Sequence, residues 1–205
     1  MSPADHAYFA FLKKDKSLSK ILASQDPIVL RKKKNVCLRL CASIMSQQLS
    51  TKVAEVIFKR FLSLFNTTDP KPEDILAIEY QQLRSIGLSH AKATYVHNVA
   101  RFAMEKGVTH RKLNAMSNEE VIEYLTEIKG VGRWTVEMLL MFTLGREDVF
   151  AVDDLGIQQT MKRVYKMDDL PLKEMKDKMM KISLKWVPFR TYACLHLWSY
   201  KDTPQ

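Results

Sequence analysis

Apolar residues recur at three- and four-residue intervals along almost the whole chain. Cys37, Leu40, Cys41, Ile44 and Met45 form one stripe, and Val53, Ala54, Ile57, Phe58, Phe61 and Leu62 form the next. This spacing matches an α-helix with one face turned to a core. A later stripe, Leu172, Met175, Met179, Ile182 and Trp186, repeats it, with the methionines as flexible core filler. Alternating strand patterns are scarce, so helix is expected to dominate.

Local punctuation divides the pattern into separate helices. Pro70 and Pro72 open one, Gly87 interrupts another, and Ser117 with Glu120 makes a capping box. Gly145 closes a helix, and Pro171 and Pro188 open two more. Connections are short, with no Gly/Ser linker and no repeat long enough for a solenoid. An all-helical bundle, in one lobe or two, is the economical architecture.

A chain of 205 residues hides roughly 70% of its unfolded surface, so it needs no disulfide or metal staple. Hydrophobic residues at 46% and aromatics at 9% argue against intrinsic disorder. Apolar runs such as Met138–Phe142 fall far short of the ~20 residues of a membrane span. The polar start Met1–His6 lacks a signal-peptide core, so the expectation is a soluble, intracellular protein with no membrane partner.

Three cysteines, Cys37, Cys41 and Cys194, are too few for a disulfide framework or a four-cysteine cluster, and the first two are expected as buried free thiols. The five histidines show no metal-ligand spacing. Lys plus Arg number 32 against 23 for Asp plus Glu, a net charge of +9, which speaks for an anionic partner, nucleic acid first. The run Arg31-Lys32-Lys33-Lys34 is a weak locator of the binding face.

The most informative stretch runs from Leu125 to Thr135, between an amphipathic helix ending near Glu127 and an apolar helix spanning residues 133–144. Gly130 and Gly132 bracket Val131 and permit a tight hairpin that a phosphate can approach without Cβ interference. The N–H groups that follow open a helix and carry partial positive charge outward. Further on, Asp153 and Asp154 are adjacent carboxylates at the start of another helix. One of them can cap that helix while its neighbour projects elsewhere.

These residues bring a family into view. Ile128-Lys129-Gly130-Val131-Gly132-Arg133-Trp134-Thr135, followed by Val152-Asp153-Asp154, resembles the helix-hairpin-helix Gly/Pro-Asp superfamily of DNA glycosylases, nearest its 3-methyladenine DNA glycosylase II branch. Three further segments resemble family motifs: Ile44–Ser50, the turn Ile86–Ala93, and the closing stretch from Trp186 through Pro188 and Arg190 to Trp198. The likeness covers about residues 36–200.

The resemblance implies two helical lobes with an active-site cleft between them: a helical barrel at 36–147 carrying the hairpin, and a second lobe made of 1–35 plus 148–205. It implies Asp154 as the catalytic carboxylate, leaving Asp153 to cap. Breaking an N-glycosidic bond builds positive charge on the deoxyribose, which a nearby carboxylate stabilises. Bifunctional relatives carry a lysine directly after the hairpin; here that position is Trp134, so a monofunctional enzyme without lyase activity is expected. Lys92 and Lys129 do not match the lyase position.

Trp134 implies a cationic leaving base such as 3-methyladenine or 7-methylguanine, attracted to an electron-rich ring by ~0.5–2 kcal/mol per contact. Trp198, Tyr192 and Met138 match or neighbour further base-pocket positions, Met138 standing where the pattern can hold an aromatic ring. Gln48 matches the side chain that fills the gap left by an extruded nucleotide, with Leu49 in reserve. Lys129, Gly130, Gly132, Arg133 and Thr135 are expected to contact DNA. Lys129 and Ala151 replace prolines common in the family.

No nucleotide cofactor is implied. An optional Na⁺ or K⁺ would sit on the carbonyls of Thr126, Ile128 and Val131 when DNA is bound. The expected partner is duplex DNA with alkylated bases, bound by a monomer as the first step of base-excision repair. Two other readings stay open on sequence: a non-catalytic helix-hairpin-helix binder of distorted DNA, and a glycosylase for a neutral deaminated or oxidised base.

Overall fold

Helix starts in this chain are set by short polar side chains that accept the N–H groups a first turn leaves over. Asp15, Asn35, Ser50, Ser89, Thr109, Ser117 and Asp154 each cap a helix this way. Each such cap contributes about 1 kcal/mol. The Ser117–Glu120 capping box forms as expected, with Glu120 accepting from the Ser117 N–H at 2.6 Å and donating its own to Ser117 Oγ at 3.2 Å.

The computed structural model describes residues 3–201, without the side chains of 3–6 and 51. The polar start Met1–His6 and its reading therefore fall outside the described side chains. Thirteen α-helices and no strand occur among the described residues. They are α1 (Pro3–Leu12), α2 (Lys16–Leu22), α3 (Val36–Ser46), α4 (Thr51–Leu62), α5 (Pro72–Ala77), α6 (Tyr80–Ser85) and α7 (His90–Glu105). Then follow α8 (His110–Asn114), α9 (Asn118–Thr126), α10 (Arg133–Phe142), α11 (Leu155–Val164), α12 (Leu172–Ser183) and α13 (Arg190–Lys201), with a 3₁₀ turn at Leu184–Trp186. No described helix is long and apolar enough to cross a membrane.

The helices divide into two compact units. One comprises residues 31–145 and the other residues 1–30 with 146–205. In the 31–145 unit, α3 is the central element and packs against α4, α7 and α10, while α9 packs on α10. Its stripe Cys37, Leu40, Cys41, Ile44 and Met45 is wholly buried. Cys37 and Cys41 are free buried thiols, and a hydrogen bond between them that favours protonated Cys41, together with burial, pushes the Cys41 thiol well above its ordinary range.

The core stripe read for α4 is too long. Only Ile57 and Phe61, in its second half, are fully buried. Val53 is exposed, as are Val56 and Leu49, because the first turn of α4 follows an exposed loop at residues 48–50. Leu172 is likewise exposed, since it opens α12 one turn before the first buried methionine, Met175.

In the other unit, α13 packs against α11 and α2. Trp186 is fully buried and donates its Nε1–H to Asp15 at 3.2 Å, tying the N-terminal helices to the C-terminal ones. Tyr192 stacks on Tyr8 with ring centroids 3.8 Å apart. His196 is also buried: its Nδ1 lies 2.6 Å from Gln25 Oε1 and its Nε2 3.2 Å from the Tyr8 hydroxyl. The Gln25 oxygen can only accept, so the proton sits on Nδ1 and Nε2 accepts from Tyr8.

Burial lowers the His196 pKa to about 4. The unfolded chain then binds more protons than the folded one between about pH 4 and 6.5, so this contribution is complete above pH 6.5 and is lost as pH falls. Urea unfolding is expected to show a loss on the order of 2 kcal/mol from this group between pH 7 and pH 5. A stability that stays flat over that interval would contradict the assignment.

Candidate active site and DNA-binding hairpin

The hairpin is built by packing on both sides of an exposed turn. Ile128 and Val131 are buried and anchor it, with the Val131 N–H on the Ile128 carbonyl at 2.9 Å. Asn98 of α7 donates to the Lys129 carbonyl at 3.1 Å. Between them Gly130 takes φ +104, and a Cβ there would lie 2.1 Å from Tyr95 Cγ. Only glycine fits. Gly132 differs: its φ of −97 suits any residue, and no atom lies within 4 Å of where its Cβ would be. Its backbone therefore faces open space, as access for a phosphate requires.

Gly132 is the N-cap residue of α10 and, having no side chain, supplies no side-chain cap itself. Lys129 is exposed. Arg133 makes ion pairs that the sequence does not reveal. Its guanidinium makes a two-point pair with Glu119 at 2.9 and 2.6 Å and a third contact with Glu137 at 3.1 Å. The Glu119 hydrogen bond raises its pKa further. Arg133 therefore braces α9 against α10 through these carboxylates.

Trp134 follows with 36% of its surface exposed, whereas Thr135 is buried. Thr135 Oγ1 accepts from Gln47 Nε2 at 3.1 Å. This bond links α10 to the loop holding Gln48, which is exposed with a left-handed φ of +59, and Leu49, also exposed. Met138 lies one turn beyond Trp134 and is buried. It lines a cavity of about 310 Å³ between α3, α4 and α10, with Arg39, Ser46, Phe58 and Phe142.

The acidic segment belongs to the other unit. Arg190 holds Asp148 at two points, 2.6 and 2.9 Å, and Thr191 Oγ1 accepts the Val149 N–H at 3.0 Å. Ala151 is buried in the following turn, where the Asp154 N–H reaches its carbonyl at 3.1 Å. Gln158 Nε2 donates to the Val152 carbonyl at 2.8 Å. Hydrogen bonds thus define the turn at a position where the family often has proline.

Asp154 is half-buried and caps α11. Its Oδ1 accepts the Ile157 N–H at 2.9 Å and the Trp198 Nε1–H at 2.8 Å, fixing the carboxylate plane. The capping expectation is thereby reversed: Asp154 is the cap, and Asp153 is an exposed partner of Lys176 at 2.7 Å. Capping occupies one oxygen of Asp154 and leaves the group outside the sealed core. Trp198 orients this carboxylate through its ring N–H. Tyr192, expected near the base pocket, is a core residue stacked on Tyr8, with its hydroxyl donated to Glu147 at 2.8 Å.

Gly156, which the sequence reading did not single out, leaves room for the contact between Trp198 and Asp154. A Cβ there would stand 3.1 Å from Asp154 Oδ1 and 3.1 Å from Trp198 Cδ1, so its absence lets indole and carboxylate meet. A glycine two residues past an Asp-Asp pair, in the first turn of a helix, is the available signal.

The model of the HhH-GPD superfamily of base excision DNA repair proteins matches residues 41–189, and the chain belongs to that superfamily. It is 37% identical over 185 residues to DNA-3-methyladenine glycosylase 1 of Schizosaccharomyces pombe, covering 89% of this chain and 80% of that protein. It is 36% identical over 178 residues to YfjP of Bacillus subtilis, covering 84% of this chain but only 60% of that protein's length. Among solved structures, it is similar to the S. pombe 3-methyladenine DNA glycosylase Mag1 in complex with abasic DNA. There the TM-score is 0.81 at 35% identity, covering 94% of this chain and 95% of that one.

Proposed function

We propose that this protein is a monofunctional DNA glycosylase that hydrolyses the N-glycosidic bond of cationic alkylated purines, such as 3-methyladenine and 7-methylguanine, in duplex DNA. The observation that carries the reading is the Asp154 carboxylate, held by the Ile157 and Trp198 N–H groups in a chain of the HhH-GPD superfamily. As the C1′–N bond breaks, its electron pair leaves with the base, which departs neutral because it began positive. The sugar gains the charge, and Asp154 stabilises it until water adds to C1′ and releases a proton.

The remaining residues take supporting parts. Trp134 offers a π face to the cationic base. The backbone at Gly130 and Gly132 and the exposed Lys129 hold phosphate, and Gln48 fills the gap in the opened duplex. The Thr126 and Val131 carbonyls accept no backbone hydrogen bond among the described residues, and the Ile128 carbonyl accepts one, from Val131. Such oxygens suit a Na⁺ or K⁺ ion, which would supply a positive charge facing phosphate. The protein would act as a DNA-associated monomer needing no other cofactor.

Trp134 in place of a nucleophilic lysine supports hydrolysis without strand cleavage, because no amine at that position can form a Schiff base with the sugar. Incubation with alkylated duplex and borohydride is expected to trap no covalent protein–DNA adduct, and the abasic strand should stay intact until treated with alkali. Efficient trapping would overturn the monofunctional assignment.

A further inference from the structure

Lys92 has no part in the chemistry above, yet its placement is specific. From the first turn of α7 its ammonium reaches the C-terminal end of α3 and donates to the Met45 carbonyl at 3.0 Å and the Gln47 carbonyl at 2.6 Å. Carbonyls at a helix end lack intrahelical donors, and the helix dipole favours a cation there. Burial lowers the Lys92 pKa from its ordinary value, consistent with an ammonium partly removed from water.

The chain leaves the helix at the residues so held. Gln47, the C-cap, turns to ψ 130, and Gln48 next to it adopts φ +59, which side chains other than glycine keep only where their surroundings dictate it. The Leu49 N–H closes back on the Ser46 carbonyl at 3.1 Å, and Ser50 then caps α4. Gln47 is fastened twice: its carbonyl by Lys92 and its side-chain amide by Thr135 in the first turn of α10. The loop is therefore registered to the helix that follows the hairpin.

We infer that Lys92 is a positioning residue for Gln48: by gripping the Met45 and Gln47 carbonyls it presents Gln48 to the duplex in one orientation, in register with the hairpin. This rests on the proposed reading of Gln48 as the side chain that fills the gap left by the extruded nucleotide. Lys92→Met keeps the length of the stem and removes every donor, whereas Lys92→Arg keeps a cation that can reach the same carbonyls.

Two measurements on the full chain test the inference. The first is amide hydrogen exchange at residues 46–50 without DNA. Lys92→Met is expected to accelerate it about tenfold, leaving α9 and α10 unchanged, and Lys92→Arg to restore most of the protection. The second is single-turnover base release from two duplexes, one fully paired and one with the target already unpaired in a mismatch. Lys92→Met should slow the paired substrate about tenfold and the mismatched one at most about twofold. The double variant with Gln48→Ala should be no slower than Gln48→Ala alone.

Unchanged exchange at 46–50, equal losses on both duplexes, or additive effects in the double variant would each overturn the role of Lys92. Full activity of Gln48→Ala on paired DNA would remove the gap-filling reading and the inference together. If the wild-type chain releases no alkylated base, the proposed function falls, and the exchange experiment still decides whether Lys92 orders the loop.

Discussion

Asp154→Asn is expected to lower single-turnover release of alkylated bases by about 10³-fold, while affinity for the same duplex stays equal or rises slightly. The asparagine oxygen can still accept from the Ile157 N–H and the Trp198 Nε1–H, two bonds that orient the side chain. The cap on α11 is thus preserved, and unfolding should shift by less than about 1 kcal/mol. What disappears is a negative charge, needed only while the sugar is cationic and repelled by phosphate in the ground state. Undiminished turnover would remove the carboxylate from the mechanism. A loss of binding parallel to the loss of rate would make Asp154 a structural residue.

The second large effect is expected at Gly130. Gly130→Ala places a methyl group 2.1 Å from Tyr95 Cγ and forces an L side chain to φ +104. Backbone strain and displacement of the ring together cost about 3 kcal/mol, measured as a lowered urea midpoint. Gly132→Ala is the matched contrast, because its methyl group meets no protein atom and its φ is ordinary. Its stability should change by less than about 0.5 kcal/mol, whereas its DNA affinity, followed by anisotropy, should fall because the methyl group stands where the backbone would meet phosphate. Equal stability losses at the two glycines would contradict this division of labour.

The features legible in the sequence were those fixed by near neighbours. The capping box at Ser117 and Glu120 spans three residues, the hairpin lies within Ile128–Gly132, and the α3 stripe repeats within eleven residues. Residues whose roles depend on distant partners were read less well. The pairing of Arg133 with Glu119, fourteen positions earlier, leaves no mark in the local sequence pattern. Asp154 and Trp198 are 44 positions apart, so neither their hydrogen bond nor the need for Gly156 between them follows from spacing.

Tyr192 illustrates the same limit from the other side. Helical periodicity on α13 could not reveal that Tyr8, near the opposite end of the chain, covers its ring. The contacts of Gln47 and Lys92 are hidden from the sequence for a related reason. Their functional atoms are a side-chain amide and an ammonium directed at another helix's first turn and backbone carbonyls, and carbonyl acceptors leave no trace in residue identity.

If a fixed carboxylate assists departure of a base that is already a good leaving group, the bases released identify the chemistry. The most direct measurement is product analysis of the wild-type protein on duplexes carrying alkylated, deaminated and oxidised purines in the same sequence context. Free 3-methyladenine and 7-methylguanine are expected from the alkylated duplexes, with hypoxanthine and oxidised guanine released far more slowly. Preferential release of a neutral base, or DNA binding with no base released from any duplex, would contradict that chemistry.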